Sequence, residues 1–298
     1  MNFSSKFLKA FDKKNRIFDI DKTFKLKKKK EIILPLGSCF LDIFASELVK
    51  KKFNICYNPK PNVIINNSYQ FFFGNFDNPL NLLNTLERIV LKNWKLKDSD
   101  YVYSKIFGHF INLHTKARFK TKKLNDLKNK IFEMDNYLLN EIKESSLILL
   151  SFDTNEVWKD KFSKKAWHTF YGNYFTQKCL NNQAKLEILN YENLKIIIKK
   201  IIKILSKVGK KKRFILMVSP QQLGTTYCNK DLKIFDLYNK ATFLSTFSDL
   251  ESDNTAYFPA FEILNNLDER KKFRDDYVHI THKSTRNYLI PYFEKIYF

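Results

Sequence analysis

The chain has 298 residues, 44% of them hydrophobic and 16% aromatic, which excludes a disordered chain and allows one large α/β domain with a sizeable core. Its formal charge of +22, from 53 Lys and Arg against 31 Asp and Glu, would suit an anionic partner. No nucleic-acid-binding motif accompanies that charge, and abundant Lys, Asn, Ile and Phe beside only 6 Gly and 7 Pro match AT-rich codon usage, so nucleic acid is not expected as a partner.

Along the chain, residues 1 to 30 are polar, basic and without period, and read as an N-terminal arm or short packed extension. The remainder, 31 to 298, reads as one domain. The N-terminus lacks the apolar stretch of a secretory signal and no run of about 18 uncharged apolar residues follows, so no transmembrane segment and a cytoplasmic location are expected. Glu31 to Gly37 is a short apolar run ending at glycine, and from Phe40 to Lys52 the residues Phe40, Ile43, Phe44, Leu48 and Val49 fall at helical spacing: strand, tight turn, helix. Phe53 to Tyr57 predicts a second strand, and Pro59 and Pro61 a loop. Helices are predicted at Pro79 to Lys92 and about Lys122 to Lys143, and the stretch around 94 to 145 reads as a mainly helical insertion or cap.

Ser146 to Phe152 is the continuous apolar run of a strand covered on both faces. A helix at Tyr191 to Val208, a strand at Arg213 to Ser219 stopped by Pro220, a helix at Asp231 to Leu250, a short strand at Ala256 to Phe258 and a closing helix at Lys283 to Tyr297 complete the pattern. Strands alternating with helical crossovers predict a mainly parallel sheet with helices on both faces, and such sheets bind ligands at the carboxyl ends of their strands. Cys39, Cys56, Cys179 and Cys228 lie far apart with no CxxC pair, which argues against a disulfide framework or structural zinc; no metal or cofactor is expected.

The informative polar motifs follow those strands. Gly37-Ser38-Cys39-Phe40 places a serine and a cysteine at the start of a helix, whose N–H groups can lower a thiol pKa or receive an oxyanion. The same residues can serve structure alone, with Gly37 making the turn, Ser38 capping the helix and Cys39 packing as a small apolar group. Near the C-terminus, Asp276 and His279 supply an imidazole base and a carboxylate to orient it. His282 is an alternative base, and Asp275 beside Asp276 is an alternative carboxylate. Trp167 to Tyr174, with His168, is aromatic and polar, a composition that suits a carbohydrate wall or plain packing.

Together, Leu36-Gly37-Ser38-Cys39-Phe40, Val218-Ser219-Pro220, Tyr257-Phe258-Pro259-Ala260-Phe261-Glu262-Ile263 and Asp276-x-x-His279 resemble the GSCFA family, a branch of the SGNH/GDSL hydrolase-like superfamily. The resemblance spans about residues 31 to 295. It implies a flavodoxin-like three-layer α/β/α sandwich and acyl-ester chemistry, either hydrolysis or transfer. Leu41 stands where the family motif has alanine, Asn62 where the superfamily has an oxyanion-hole glycine, and Asp153-Thr154-Asn155 where it has Gly-x-Asn. By that resemblance the Asn62 backbone and the Asn155 side chain are the expected oxyanion donors. Aligned with Gly-Asp-Ser, the turn makes Cys39 the nucleophile; anchored on the serine, it makes Ser38 the nucleophile; the first register keeps the turn length and is preferred. Glu262 can orient a base or bind a sugar hydroxyl. The expected substrate is an acylated small molecule or carbohydrate, with acyl-CoA as a conceivable donor; the competing reading is a non-catalytic scaffold that binds an anionic polymer.

Overall fold

The computed structural model describes residues 24–28, 30–56, 64–65, 68–69, 75–104, 108–115, 119, 121–168, 183–265 and 273–298. In chain order its elements are β1 (Ile32–Gly37), α1 (Cys39–Lys50), β2 (Asn54–Ile55), β3 (Ile64–Ile65), β4 (Ser68–Tyr69), α2 (Pro79–Ile89), β5 (Tyr101–Ser104), β6 (His109–Asn112), α3 (Leu124–Glu144), β7 (Leu147–Phe152), β8 (Glu156–Asp160) and β9 (Ala166–Trp167). There follow β10 (Ala184–Ile188), α4 (Tyr191–Ser206), β11 (Arg213–Val218), α5 (Leu232–Ser248), β12 (Thr255–Tyr257), α6 (Ala260–Asn265) and a C-terminal helical run. That run passes through a π turn at Thr285–Leu289 before its last helix, α7 (Ile290–Tyr297).

Five strands form a central sheet in the order β12-β11-β7-β1-β2, every pair parallel. Numbered within the sheet this is 2-1-3-4-5, a flavodoxin-like order that reverses between β1 and β7. β7 and β11 read as mainly apolar runs because helices cover both faces, and every residue of β7 is buried. One layer holds α1, which packs on β1 and on the C-terminal run; α2, α3, α4 and α5 pack against one another across the other face. The chain is thus a three-layer α/β/α sandwich with a parallel sheet.

Pro35 lies inside β1, where a proline normally costs a ladder hydrogen bond. The N–H of Ser38 points towards β7, where it donates to the Ser151 carbonyl at 2.8 Å, so the odd-numbered positions of the strand point towards β2. β2 pairs only with Ile32 and Ile33, so the N–H that Pro35 lacks faces past its end.

Element positions match the sequence pattern closely, and three features depart from it. The stretch 94 to 145 holds a β5/β6 hairpin ahead of α3, and α3 buries Leu127, Ile131, Met134, Leu138 and Ile142. A small antiparallel sheet, β10-β8-β9, follows the central strand and has no counterpart among the predicted elements. The closing helix is broken by the π turn. Part of the N-terminal segment is packed: Leu26 is buried and its N–H donates to the Tyr297 carbonyl at 2.7 Å. Among the described residues no helix is long and apolar enough to cross a membrane.

Gly37, the last residue of β1, sits directly against Ser151 of β7. A Cβ built there would lie 1.8 Å from the Ser151 carbonyl oxygen, so only glycine fits without moving backbone. Gly37→Ala is expected to lower folding stability by about 3 kcal/mol through overpacking, read as a drop in the urea midpoint at unchanged slope.

Candidate active site

Parallel register carries the ends of three strands to one place: Gly37 pairs with Ser151, and Ser151 with Met217. Just beyond them stand Ser38 and Cys39, then Asp153, then Ser219 and Gln221. This is the carboxyl edge at the point where strand order reverses, where an open α/β sheet leaves a crevice.

Ser38 is the N-cap residue of α1, yet its side chain makes no capping hydrogen bond, and the residue is fully buried. Its hydroxyl has no hydrogen-bond partner among the described residues, though it lies close enough to Asp153 to favour the ionised carboxylate. Cys39, the first residue of the helix, is partly exposed. Its Sγ lies 2.9 Å from Gln221 Oε1 and 3.8 Å from Asp153 Oδ2. Burial pushes the Asp153 carboxyl above the usual carboxylate range, and the charge of Asp77 adds to this; Lys240 and the hydroxyls of Ser219 and Ser38 work against it. Lys240 itself is buried and donates to the Gln221 carbonyl at 2.6 Å.

The C-terminal pair forms its own unit. His279 Nδ1 lies 2.7 Å from Asp276 Oδ2, and Asp276 Oδ1 accepts the N–H groups of Val278 and His279, each at 2.9 Å. Partial desolvation opposes ionisation of Asp276, but those backbone donors and the imidazole outweigh it and hold its carboxyl down at about 2. The tight turn needs Tyr277 in the left-handed region, at φ 56°. It abuts the loop after β11: Gln222 N–H donates to the Val278 carbonyl at 3.3 Å, and the Val278 side chain lies beside Gly224. Among the described residues no hydrogen bond joins His279 to Cys39 or Ser38; the two halves meet through the Gln221-Gln222 loop.

The other sequence candidates are placed as follows. His282 is engaged elsewhere, its Nδ1 2.8 Å from Glu47 Oε1. Asn155 is fully buried and donates from Nδ2 to the Leu189 carbonyl at 2.9 Å, holding the start of β8 to the end of β10. Glu262 accepts from the Tyr257 hydroxyl at 2.7 and 2.9 Å, and burial raises its pKa against that hydrogen bond. His168 is buried with Nε2 3.2 Å from the Asn75 carbonyl and 3.5 Å from Asp77 Oδ2, and its neighbour Trp167 is buried too. Asn62, and the aromatic stretch from 169 to 174, lie outside the described residues. Among the described residues no group of three or more His, Cys, Asp or Glu could hold a metal ion. Asp153 was quoted from sequence only within Asp153-Thr154-Asn155, and Gln221 and Lys240 were not singled out. Their signal is position, Asp153 immediately beyond β7, Gln221 three residues past β11 and Lys240 in a helix whose polar residues do not segregate to one face.

Glu47 of α1 is buried to 1% exposure and ties the helix that carries Cys39 to the C-terminal run, through Arg286 Nε at 2.7 Å and His282, while Lys50 Nζ of the same helix lies 2.6 Å from it. Burial opposes its charge, yet these donors bring its pKa down to about 2, while burial lowers that of His282.

A model of the GSCFA family matches residues 32–293. Among solved structures, a variant of Axe2, an acetyl-xylooligosaccharide esterase from Geobacillus, is similar at 11% identity and a TM-score of 0.37, over 93% of this chain and 96% of that one. The acetylxylan esterase Axe2 from Geobacillus stearothermophilus is similar at 12% identity and a TM-score of 0.34, over 93% and 96% of the two chains. No curated protein matches the chain.

The Glu47 cluster has a signature in acid. A carboxylate whose folded pKa is depressed stabilises the fold above its unfolded value and loses that contribution as pH falls through the folded one. The window here runs from 4.5 down to about 2. Glu47→Gln is expected to cost about 2 kcal/mol near pH 6, less than for a fully buried pair because Arg286 and Lys50 are half exposed. The gap between wild type and variant in urea midpoints should close progressively below pH 4.5.

Proposed function

The chain belongs to the GSCFA family, and from that membership we propose that it is an acyl-ester hydrolase or acyltransferase with Cys39 as nucleophile, His279 as base and Asp276 as the orienting carboxylate. The observation that carries the reading is the Asp276–His279 pair at 2.7 Å, held on a turn against the very loop whose Gln221 touches Cys39. Asp276 fixes the imidazole with its proton on Nδ1 and leaves Nε2 free to take another, as a triad base must.

Accessibility favours Cys39 over Ser38 as the nucleophile. Ser38 is fully buried, whereas Cys39 is partly exposed at the N-terminus of α1, where the first-turn N–H groups favour negative charge. The proton of Cys39 passes to His279 Nε2 as the sulfur attacks the acyl carbon, forming a C–S bond and placing the carbonyl electron pair on oxygen. Collapse breaks the ester C–O bond, and His279 returns its proton to the departing alcohol. Water or an acceptor hydroxyl then attacks the thioester by the same route in reverse, and the thiol is regenerated.

The test uses p-nitrophenyl acetate, acetylated sugars and acetyl-CoA as donors, with a thiol reagent and a serine-directed phosphonate as labels. Turnover and thiol labelling at Cys39 are expected. His279→Ala should lower kcat by about 10³-fold, and Ser38→Ala should retain the Cys39 label. A phosphonate adduct on Ser38 would move the nucleophile to that residue. Inertness of both residues in the folded protein would refute the acyl-transfer reading and leave the polyanion-binding scaffold.

A further inference from the structure

We propose that Gln221 is a further catalytic residue, whose side-chain amide holds the Cys39 thiol through Oε1 and donates Nε2–H to the sulfur once it ionises. This rests on the reading of Cys39 as the nucleophile and adds a residue that the family motifs quoted above do not include.

Gln221 is only 3% exposed, and Oε1 lies 2.9 Å from Cys39 Sγ while Nε2 is buried with no hydrogen-bond partner among the described residues. An amide buried with its donors unused destabilises the fold. Its place beside a reactive sulfur gives those donors a use. In the thiol state S–H donates to Oε1. When the proton leaves, Oε1 faces a second acceptor and the contact turns repulsive. Rotation of the terminal amide by half a turn exchanges oxygen for nitrogen, and Nε2–H then makes a charge-assisted bond to the thiolate, stronger than the neutral bond it replaces.

The backbone keeps the amide in place while it turns. Gln221 N–H donates to Ser219 Oγ at 3.3 Å, Lys240 Nζ grips the Gln221 carbonyl at 2.6 Å, and Pro220 restricts the link between them. The charged surroundings call for a donor. Asp153 on the β7 side lies 3.8 Å from the sulfur, and Asp77, ahead of α2, adds its negative charge beside Asp153. Lys240 from α5, itself 3.5 Å from Asp236, and the first turn of α1 oppose them, and the Asp276–His279 turn adjoins from the C-terminal side. Gln221 is a neutral group in direct contact with the sulfur, able to accept from the thiol and donate to the thiolate.

The experiment is the pH dependence of Cys39 alkylation by iodoacetamide in the full chain, followed by peptide mapping, in the wild type, Gln221→Met and Gln221→Leu. Both substitutions keep the bulk and remove the donors; thermal midpoints are measured alongside. The wild-type midpoint is expected below the free-thiol value of about 8.5. Either variant should raise it by about one pH unit, a roughly tenfold slower alkylation near neutral pH. A purely structural glutamine would lower the thermal midpoint without moving the profile. An unmoved profile in a folded variant overturns the proposal, as does a wild-type midpoint at or above the free-thiol value, a result that needs no variant to fold. Ester turnover is read separately. A shifted profile without turnover keeps the role of Gln221 and removes the acyl-transfer reading, whereas turnover with an unmoved profile does the reverse.

Discussion

The approach of Gly37 to the Ser151 carbonyl is the contact on which the rest of the molecule hangs. With a Cβ excluded at 1.8 Å, the end of β1 lies flush against β7, and the next residue, Ser38, gives its N–H to that same carbonyl. Helix α1 must therefore start at Cys39, over the edge of the sheet where strand order reverses. The Gly37 carbonyl, pointing the other way, receives the Phe76 N–H at 2.7 Å, and the next residue on, Asp77, accepts the N–H groups of Asp153 and Thr154. One glycine thus fixes the start of the helix, the path of the segment before α2 and the loop after β7.

Around that contact the fold buries polar groups at a cost and recovers part of it through α5. Asn239 donates to the Asp153 carbonyl at 2.6 Å and accepts the Asn155 N–H at 2.8 Å, while Lys240 beside it anchors Gln221. A helix facing only apolar neighbours would keep Asn and Lys on its outer side. Both are buried in α5 because it supports two loops as well as the sheet. Buried polar groups of this kind are tolerated when their partners are rigid. Among the described residues, Gln221 Nε2 is buried with no hydrogen-bond partner, and it lies in the same strand-end cluster as the buried Asp153 and Ser38.

Much of this was legible in sequence because the central strands are buried on both faces: Leu147–Phe152 is apolar but for Ser151 and Arg213–Val218 is apolar after its first residue, and each is preceded by a helix of clear period. The pairing of Asp276 with His279 also follows from sequence, since a three-residue spacing in a tight turn returns the carboxylate to the ring. The antiparallel sheet β8-β9-β10 was not legible. Its strands are short, one has only two residues, and they carry Trp, Lys and Glu with no strict alternation of burial. Asn155 was expected from the resemblance as an oxyanion donor, and its side chain secures Leu189, an interaction 34 residues away that no local pattern announces. Gln221 was hidden for the same reason, because its significance comes from a contact spanning 182 residues.

On the proposed reading, the separation of the Asp276–His279 pair from Cys39 bears on why a thiol would suit this turn. A serine hydroxyl depends on its base at the moment of attack, so an imidazole outside hydrogen-bond reach leaves it inert. A thiol is already a few per cent ionised near neutral pH, and at a helix N-terminus its thiolate is favoured further. In that reading it is held by a neutral amide at rest, gives its proton to the imidazole once substrate is seated, and draws on the same imidazole to protonate the leaving group and to activate water. Asp276 and His279 form a finished pair on a partly exposed turn, while the sulfur rests on Gln221 in a half-buried one, and among the described residues the two meet through the loop after β11. On the proposed reading, a substrate acyl group entering between them supplies the atoms that bridge nucleophile and base, and the same gap lets water or an acceptor hydroxyl reach the thioester.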